Sequence, residues 1–134
     1  MIDTRTSPYA ALVLRLALSI MFVAHGLTKL LVFTPAGTAK FLESVGFSGW
    51  LAWPIIAFEI VAGVLLLAGV YARAVAAIAA IELFVASTAH FHNGWMFTNA
   101  NGGWEYPVFL AAAAAVLALT GDGAFAVKPT VRNV

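Results

Sequence analysis

The chain contains no cysteine, which excludes disulfides, thiolate metal centres, thioether-attached haem and any thiol relay carried by this polypeptide alone. Charge is almost as scarce. Seven Lys and Arg with six Asp and Glu make up 10% of the residues, against about a quarter in an ordinary soluble domain. So few basic side chains cannot form a surface that tracks a phosphate backbone, so nucleic acid is not an expected partner. What the sequence has instead is apolar length: 63% of it is hydrophobic. The expectation is an all-α integral membrane protein in contact with the lipid bilayer. At about 20 residues per span, the 134 residues leave room for four crossings in a single domain and for no soluble catalytic domain beside them.

The apolar runs predict helices over about 10–33, 50–67, 73–91 and 104–119. The first is too long for the apolar part of a secretory signal and is read as a retained span. Between the first two lies a polar segment with Pro35, Gly37, Lys40, Glu43, Gly46 and Gly49, read as a connection. Asn99, Asn101, Gly102 and Gly103 mark a later loop, and Gly121, Asp122 and Gly123 close the last helix. Four spans put both termini on one side, together with Arg5, Arg15, Arg73, Lys128 and Arg132, whereas Lys29 and Lys40 fall opposite. Positive flanks stay in the cytoplasm, so both termini are expected there, in a multi-pass protein of the inner (plasma) membrane. Trp50, Trp53, Trp95 and Trp104 then fall at the outer boundary, where tryptophan anchors commonly sit.

Ionisable residues interrupt these runs, and a charge at mid-span costs roughly 2.5–3.5 kcal/mol on insertion scales. Counted at about 1.5 Å per residue from the cytoplasmic end, His25, Glu59 and Glu82 come to nearly one level, roughly 15–22 Å up. Lys29 stands one turn above His25, and His90, His92 and Glu105 gather near the outer surface. In the first helix Arg15, Ser19, Phe22, Gly26 and Lys29 recur at helical spacing, so they share a face turned toward other helices. Arg15 is expected to snorkel to the cytoplasmic headgroups. Lys29 either snorkels outward or pairs with Glu59 or Glu105. Glu59 pairs with Lys29 or Arg15, or keeps its proton, and Glu82, without a basic residue nearby on its own helix, is read as neutral and hydrogen-bonded. His25, His90 and His92 are the candidate ligands for a metal, and His25 or His90 for haem, although the spacing of His90 and His92 is not that of helical metal motifs. Glu105 complements the dipole at the start of the fourth helix and also faces the mouth of this polar column. Two openings, Gly49-Trp50-Leu51-Ala52-Trp53-Pro54 and Gly103-Trp104-Glu105-Tyr106-Pro107, echo each other and are compatible with either a duplicated helical hairpin or coincidence.

The runs LALSIMFVAHGLTKL, FLESVGFSGWLAWPIIAFEIVAGVLLLAGVYARAVA and GGWEYPVFLAAAAAVLALTGDG resemble the DoxX family of small four-helix membrane proteins. The order carries the likeness: His-Gly-x-x-Lys at the end of helix one, Glu in helix two, Gly-x-x-x-Arg at the next turn and Gly-Trp-Glu-Tyr opening helix four. The resemblance implies polar family positions at His25, Lys29, Glu59, Arg73 and Glu105. Glu82 departs from the pattern, which suggests a specialised pocket, and the stretch Gly121 to Val127 departs from the family's usual ending. It also implies a link to membrane redox or oxidative-stress complexes, and a partner subunit for the electrons, since nothing here signals haem, flavin or an iron–sulfur cluster. A quinone headgroup suits the residues: His25 would hydrogen-bond it, Glu59 would exchange its proton, and Lys29 or Glu105 would connect to the outside. The rival expectation is a noncatalytic assembly subunit, a homo-oligomer or a docking partner for a redox protein, whose polar column only fixes helix packing. A small-solute or metal permease ranks lower, because the polar groups lie mainly in the outer half.

Overall fold

A computed structural model describes residues 3–130; Arg132, counted above among the cytoplasmic charges, lies outside them. The described residues are helical and form no β-sheet. Helix α1 spans Ser7–Leu27 and has Pro8 in its first turn, where a missing N–H leaves no bond unmade. It continues through a π turn, Thr28–Val32, in which the Phe33 N–H reaches back five residues to the Thr28 carbonyl at 3.0 Å. Thr34, at φ +65°, then breaks the helix in a conformation that β-branched residues rarely adopt.

The polar segment expected as a plain connection contains an eleven-residue helix, α2, Thr34–Ser44. Its Gly and Ser content argues against helix, but Pro35 suits a first turn. Thr38 and Leu42, one turn apart, bury a narrow stripe that overrides the weak propensity. A 3₁₀ turn, Gly49–Leu51, leads into α3, Ala52–Ala68. Left-handed Gly69 (φ +69°) ends α3 while the Val70 N–H bonds the Leu65 carbonyl at 2.9 Å, a glycine C-cap. Helix α4 spans Ala72–Thr88 and α5 spans Glu105–Thr120.

Two of these stretches, Ser7–Val32 and Gly49–Ala68, are long and apolar enough to cross a membrane. With 17 and 16 residues, α4 and α5 reach about 25 Å each. Helix α1 lies along α3, and α4 along α5, with lighter contact between the two pairs. In the first pair glycine permits the approach: a Cβ on Gly26 would collide with Ile60, and one on Gly63 with Val23. In the second, Ala72, Ala76, Ala79, Ala111 and Ala114 are buried and serve the same purpose.

Both helix pairs bring their ends together at one end of the molecule, which residues 121–130 close. The Ala124 N–H bonds the Pro8 carbonyl at 2.8 Å, Lys128 joins Gly69 and Tyr71 through the backbone, and Asp122 accepts from the Arg73 N–H at 2.9 Å. The sequence suggested that Arg15 snorkels to a headgroup layer; here protein carbonyls take its guanidinium. It is only 2% exposed and donates to the carbonyls of Asp122 at 2.7 Å and Ala124 at 3.2 Å. The reason is reach. Segment 121–130 folds back over the guanidinium and offers it acceptors before solvent can.

Candidate functional site

Lys29 stands in the π turn. The carbonyl of Lys29 accepts the buried Thr38 hydroxyl of α2 at 3.4 Å, and its ammonium crosses to α3. There Nζ donates to both carboxylate oxygens of Glu59, at 2.7 and 2.9 Å. Of the two partners Glu59 is the more deeply covered, with 7% of its side chain exposed against 25% for Lys29. Gly26 makes the meeting possible, because α3 passes close enough that a Cβ at this position would press on Glu59 and Ile60. The face read from the sequence is thus the interior face: Arg15, Ser19, Phe22 and Gly26 are buried along α1, and Ser19 donates to the Gly63 carbonyl at 2.7 Å.

Glu82 of α4 lies within electrostatic range of this ion pair. Its electrostatic neighbours are Glu59 and Lys29, and its Oε2 is buried without a hydrogen-bond partner. The cluster holds one cation and two carboxyl groups, so it is electrically balanced when one acid carries a proton. An orphaned buried carboxyl oxygen is uncommon in a native fold, since such groups normally find a partner. It is the chemically open position of the cluster.

The remaining sequence candidates lie apart from this cluster. His25 turns toward α5, where its ring stacks on Tyr106 at 6.4 Å, and its Nδ1 is 2.8 Å from the Met21 carbonyl one turn back. His90 braces a loop, with Nδ1 at 3.2 and 3.1 Å from the carbonyls of Asn101 and Gly102 and its ring beside Phe41 of α2. Glu105 latches the same loop by accepting the Phe97 N–H at 2.9 Å. His92 sits in an exposed 3₁₀ turn, and Arg73 enters the closed end through its backbone. Among the described residues no three His, Asp or Glu side chains converge on a point that could hold a metal ion.

Two open grooves flank the end of the molecule opposite the chain termini. One, of about 650 Å³, runs between α2 and the start of α3 past Pro35, Ala39, Glu43, Trp50 and Trp53. The other, of about 470 Å³, lies on α5 beneath the loop, edged by Trp95, Phe97, Glu105, Tyr106 and Phe109. Neither contains a member of the Lys29, Glu59 and Glu82 cluster.

Three contributors escaped the sequence reading. Thr38 was hidden in a segment taken for a loop. Tyr106 was visible only as part of an interfacial Gly-Trp-Glu-Tyr-Pro run. Asp122, which binds the Arg73 and Thr130 N–H groups and the Thr130 hydroxyl, was visible as a turn residue between two glycines and nothing more.

The family model described as DoxX matches residues 10–93. The Bacillus subtilis (strain 168) protein "Putative oxidoreductase CatD" is 33% identical over 120 residues, which cover 90% of this chain and 85% of that protein. No solved structure matches. Lys29, Glu59 and Glu82 all fall inside the matched span, and the match takes in more than half of the sequence. The chain belongs to the DoxX family of membrane proteins.

Proposed function

We propose that this protein is a multi-pass subunit of the plasma membrane, linked to redox chemistry, in which the Lys29, Glu59 and Glu82 cluster exchanges a proton with a small ligand of the quinone class. Helices α1, α3, α4 and α5 cross the bilayer as one four-helix domain. The end closed by residues 121–130, with Arg5, Arg15, Arg73 and Lys128, faces the cytoplasm, as positive flanks require. The name of the B. subtilis relative supports a redox role.

The observation that carries the reading is the buried, unpartnered Oε2 of Glu82 beside a satisfied ion pair. Lys29 occupies both oxygens of Glu59, so Glu82, and not Glu59, is the group free to give or take a proton. Lys29 keeps the second carboxylate charge in check, and the apolar surroundings make the proton's position sensitive to what binds nearby. A quinone, when bound, supplies carbonyl oxygens that become hydroxyl groups on reduction. In this reading the electrons come from a partner protein.

The test is quinone binding in nanodiscs together with quinone reduction by membranes. Glu82→Gln should weaken both, while His25→Ala should change them less. No quinone bound by the wild type, or an E82Q protein that behaves like it, would sink the reading. One observation favours a second one, a noncatalytic assembly subunit: neither groove reaches the cluster. Under that reading Lys29→Met disturbs assembly and thermal stability but leaves the redox rate per assembled complex intact.

A further inference from the structure

The groove on α5 has a composition and a gradient that the redox reading does not use. Its rim is aromatic: Trp95, Phe97, Tyr106 and Phe109 all keep large exposed surfaces. Its one charged lining residue is the carboxylate of Glu105, and no Lys, Arg or His lines it. Aromatic faces carry a negative quadrupole that attracts a cation near a ring face, and Glu105 adds a full negative charge. The groove therefore selects for a positive ligand and against an anion.

The gradient says what kind of cation. Glu105 stands at the first residue of α5, and Val108, Phe109 and Ala112 continue the lining down the helix. At about 1.5 Å per residue the floor runs roughly 10 Å from a charged end to a wholly apolar one. That is the outline of an amphiphile, with a positive head beside Glu105 and a hydrocarbon chain beside Ala112. A volume of about 470 Å³ is within the usual range for a small-molecule site. The walls are also braced. Glu105 accepts the Phe97 N–H at 2.9 Å, the Glu105 N–H bonds the Trp95 carbonyl at 3.1 Å, and Trp95 meets Trp104 edge to face at 4.5 Å. A Cβ on Gly103 would collide with the Trp95 and Met96 backbone, so glycine there lets the loop fold down to form the rim.

We propose that this groove binds an ammonium-headed phospholipid, with the head between Glu105 and the aromatic rim and an acyl chain descending along α5. The bilayer supplies such a molecule as phosphatidylethanolamine. Its placement in the outer leaflet rests on the topology proposed above; the choice of a zwitterionic head that ends in an ammonium over a head of net negative charge rests on the groove alone.

The test uses the whole protein in mild detergent, with native mass spectrometry and matched-chain phosphatidylethanolamine and phosphatidylglycerol. The wild type should retain the ethanolamine lipid about fivefold more than the glycerol lipid, the size expected of a solvent-accessible charge pair between the ammonium and Glu105. Glu105→Gln removes the charge but keeps an oxygen that can accept the Phe97 N–H, so the preference should collapse while Trp emission stays unchanged. Phe109→Ala should weaken retention of both lipids alike. Equal retention by the wild type overturns the proposal, as does a preference that survives in E105Q. Glu105-dependent binding of soluble dodecyltrimethylammonium without any phosphatidylethanolamine preference also overturns it, by assigning the groove to free amphiphilic cations. Quinone binding and its response to Glu82→Gln are separate readouts, so failure of either proposal leaves the other standing.

Discussion

The two helix pairs solve one packing problem with different chemistry. Between α1 and α3 the backbones meet at Gly26 and Gly63, and polar groups cross the contact: Ser19 to the Gly63 carbonyl and Lys29 to Glu59. Between α4 and α5 the contact is made by alanines, while Ser87 and Thr120 turn their hydroxyls back onto carbonyls of their own helices. In lipid there is little hydrophobic gain in bringing two apolar helices together, so close backbone approach and interhelical hydrogen bonds must supply the association. The alanine pair relies on the first alone. The glycine pair adds the second, and with it ionisable groups; Glu82 is the member of the alanine pair whose charge neighbours lie in the other.

The contrast is sharpest in the ion pair. Glu59→Leu should leave the Lys29 ammonium without its partner and destabilise the protein by about 3 kcal/mol, whereas the double variant with Lys29→Met should recover most of that loss. Thermal unfolding in detergent reads both; if the double variant is no better than the single, the pair is not the source. Gly63→Val comes next. The added methyl groups meet Val23 and the Ser19 carbonyl and should cost about 2 kcal/mol by overpacking. An unfolding midpoint within error of the wild type would mean that α1 and α3 can separate freely.

A smaller effect compares like with like across the pairs. Ser19→Ala loses a bond between helices, at about 1 kcal/mol. Ser87→Ala loses a bond within its own helix and should cost no more than about half as much. Equal costs would erase the distinction between the pairs.

The smallest effect concerns the segment that ties the pairs together. Burial pushes the Asp122 carboxyl up, but the N–H groups of Arg73 and Thr130, the Thr130 hydroxyl and the Ala72 N–H outweigh it and hold its pKa below the ordinary value. A depressed carboxylate contributes stability that is complete above its unfolded value, about pH 3.9, and is lost as pH falls through the folded one. Acidification below about pH 4 should therefore speed hydrogen exchange at the Thr130 amide, beyond the intrinsic change, and Asp122→Asn should lack that response. An acid response that persists in D122N would place the sensitive group elsewhere.

Much of the helical framework was legible because its signal is one-dimensional. Apolar runs ended by Gly69 and Gly121 locate the ends of α3 and α5, and the stripe from Arg15 to Gly26 names the face that α1 buries. Helix α2 was not legible. Its buried face is only Thr38 and Leu42, too narrow to stand out against Pro35, Gly37 and the polar Thr34, Lys40, Glu43 and Ser44. The contacts of the polar residues were not legible. His25 shares the depth of Glu59, since the next residue, Gly26, touches it, yet its ring turns to Tyr106. His90 and Glu105 are spent on holding a loop.

Composition and periodicity by themselves determined that this chain is helical, that it carries spans fit for a membrane, and that a few ionisable residues must find partners inside it. Those are statements about the cost of charge in an apolar medium and about a period of 3.6 residues, and both can be read along a line. Which acid receives Lys29, which carbonyls receive Arg15, and which carboxyl oxygen is left without a partner were decided only in three dimensions. A side-chain contact depends on how far each helix is rotated about its axis and how closely its neighbour approaches. Here the π turn after Gly26, the glycines facing α3 and α1, and the fold-back of residues 121–130 set those quantities.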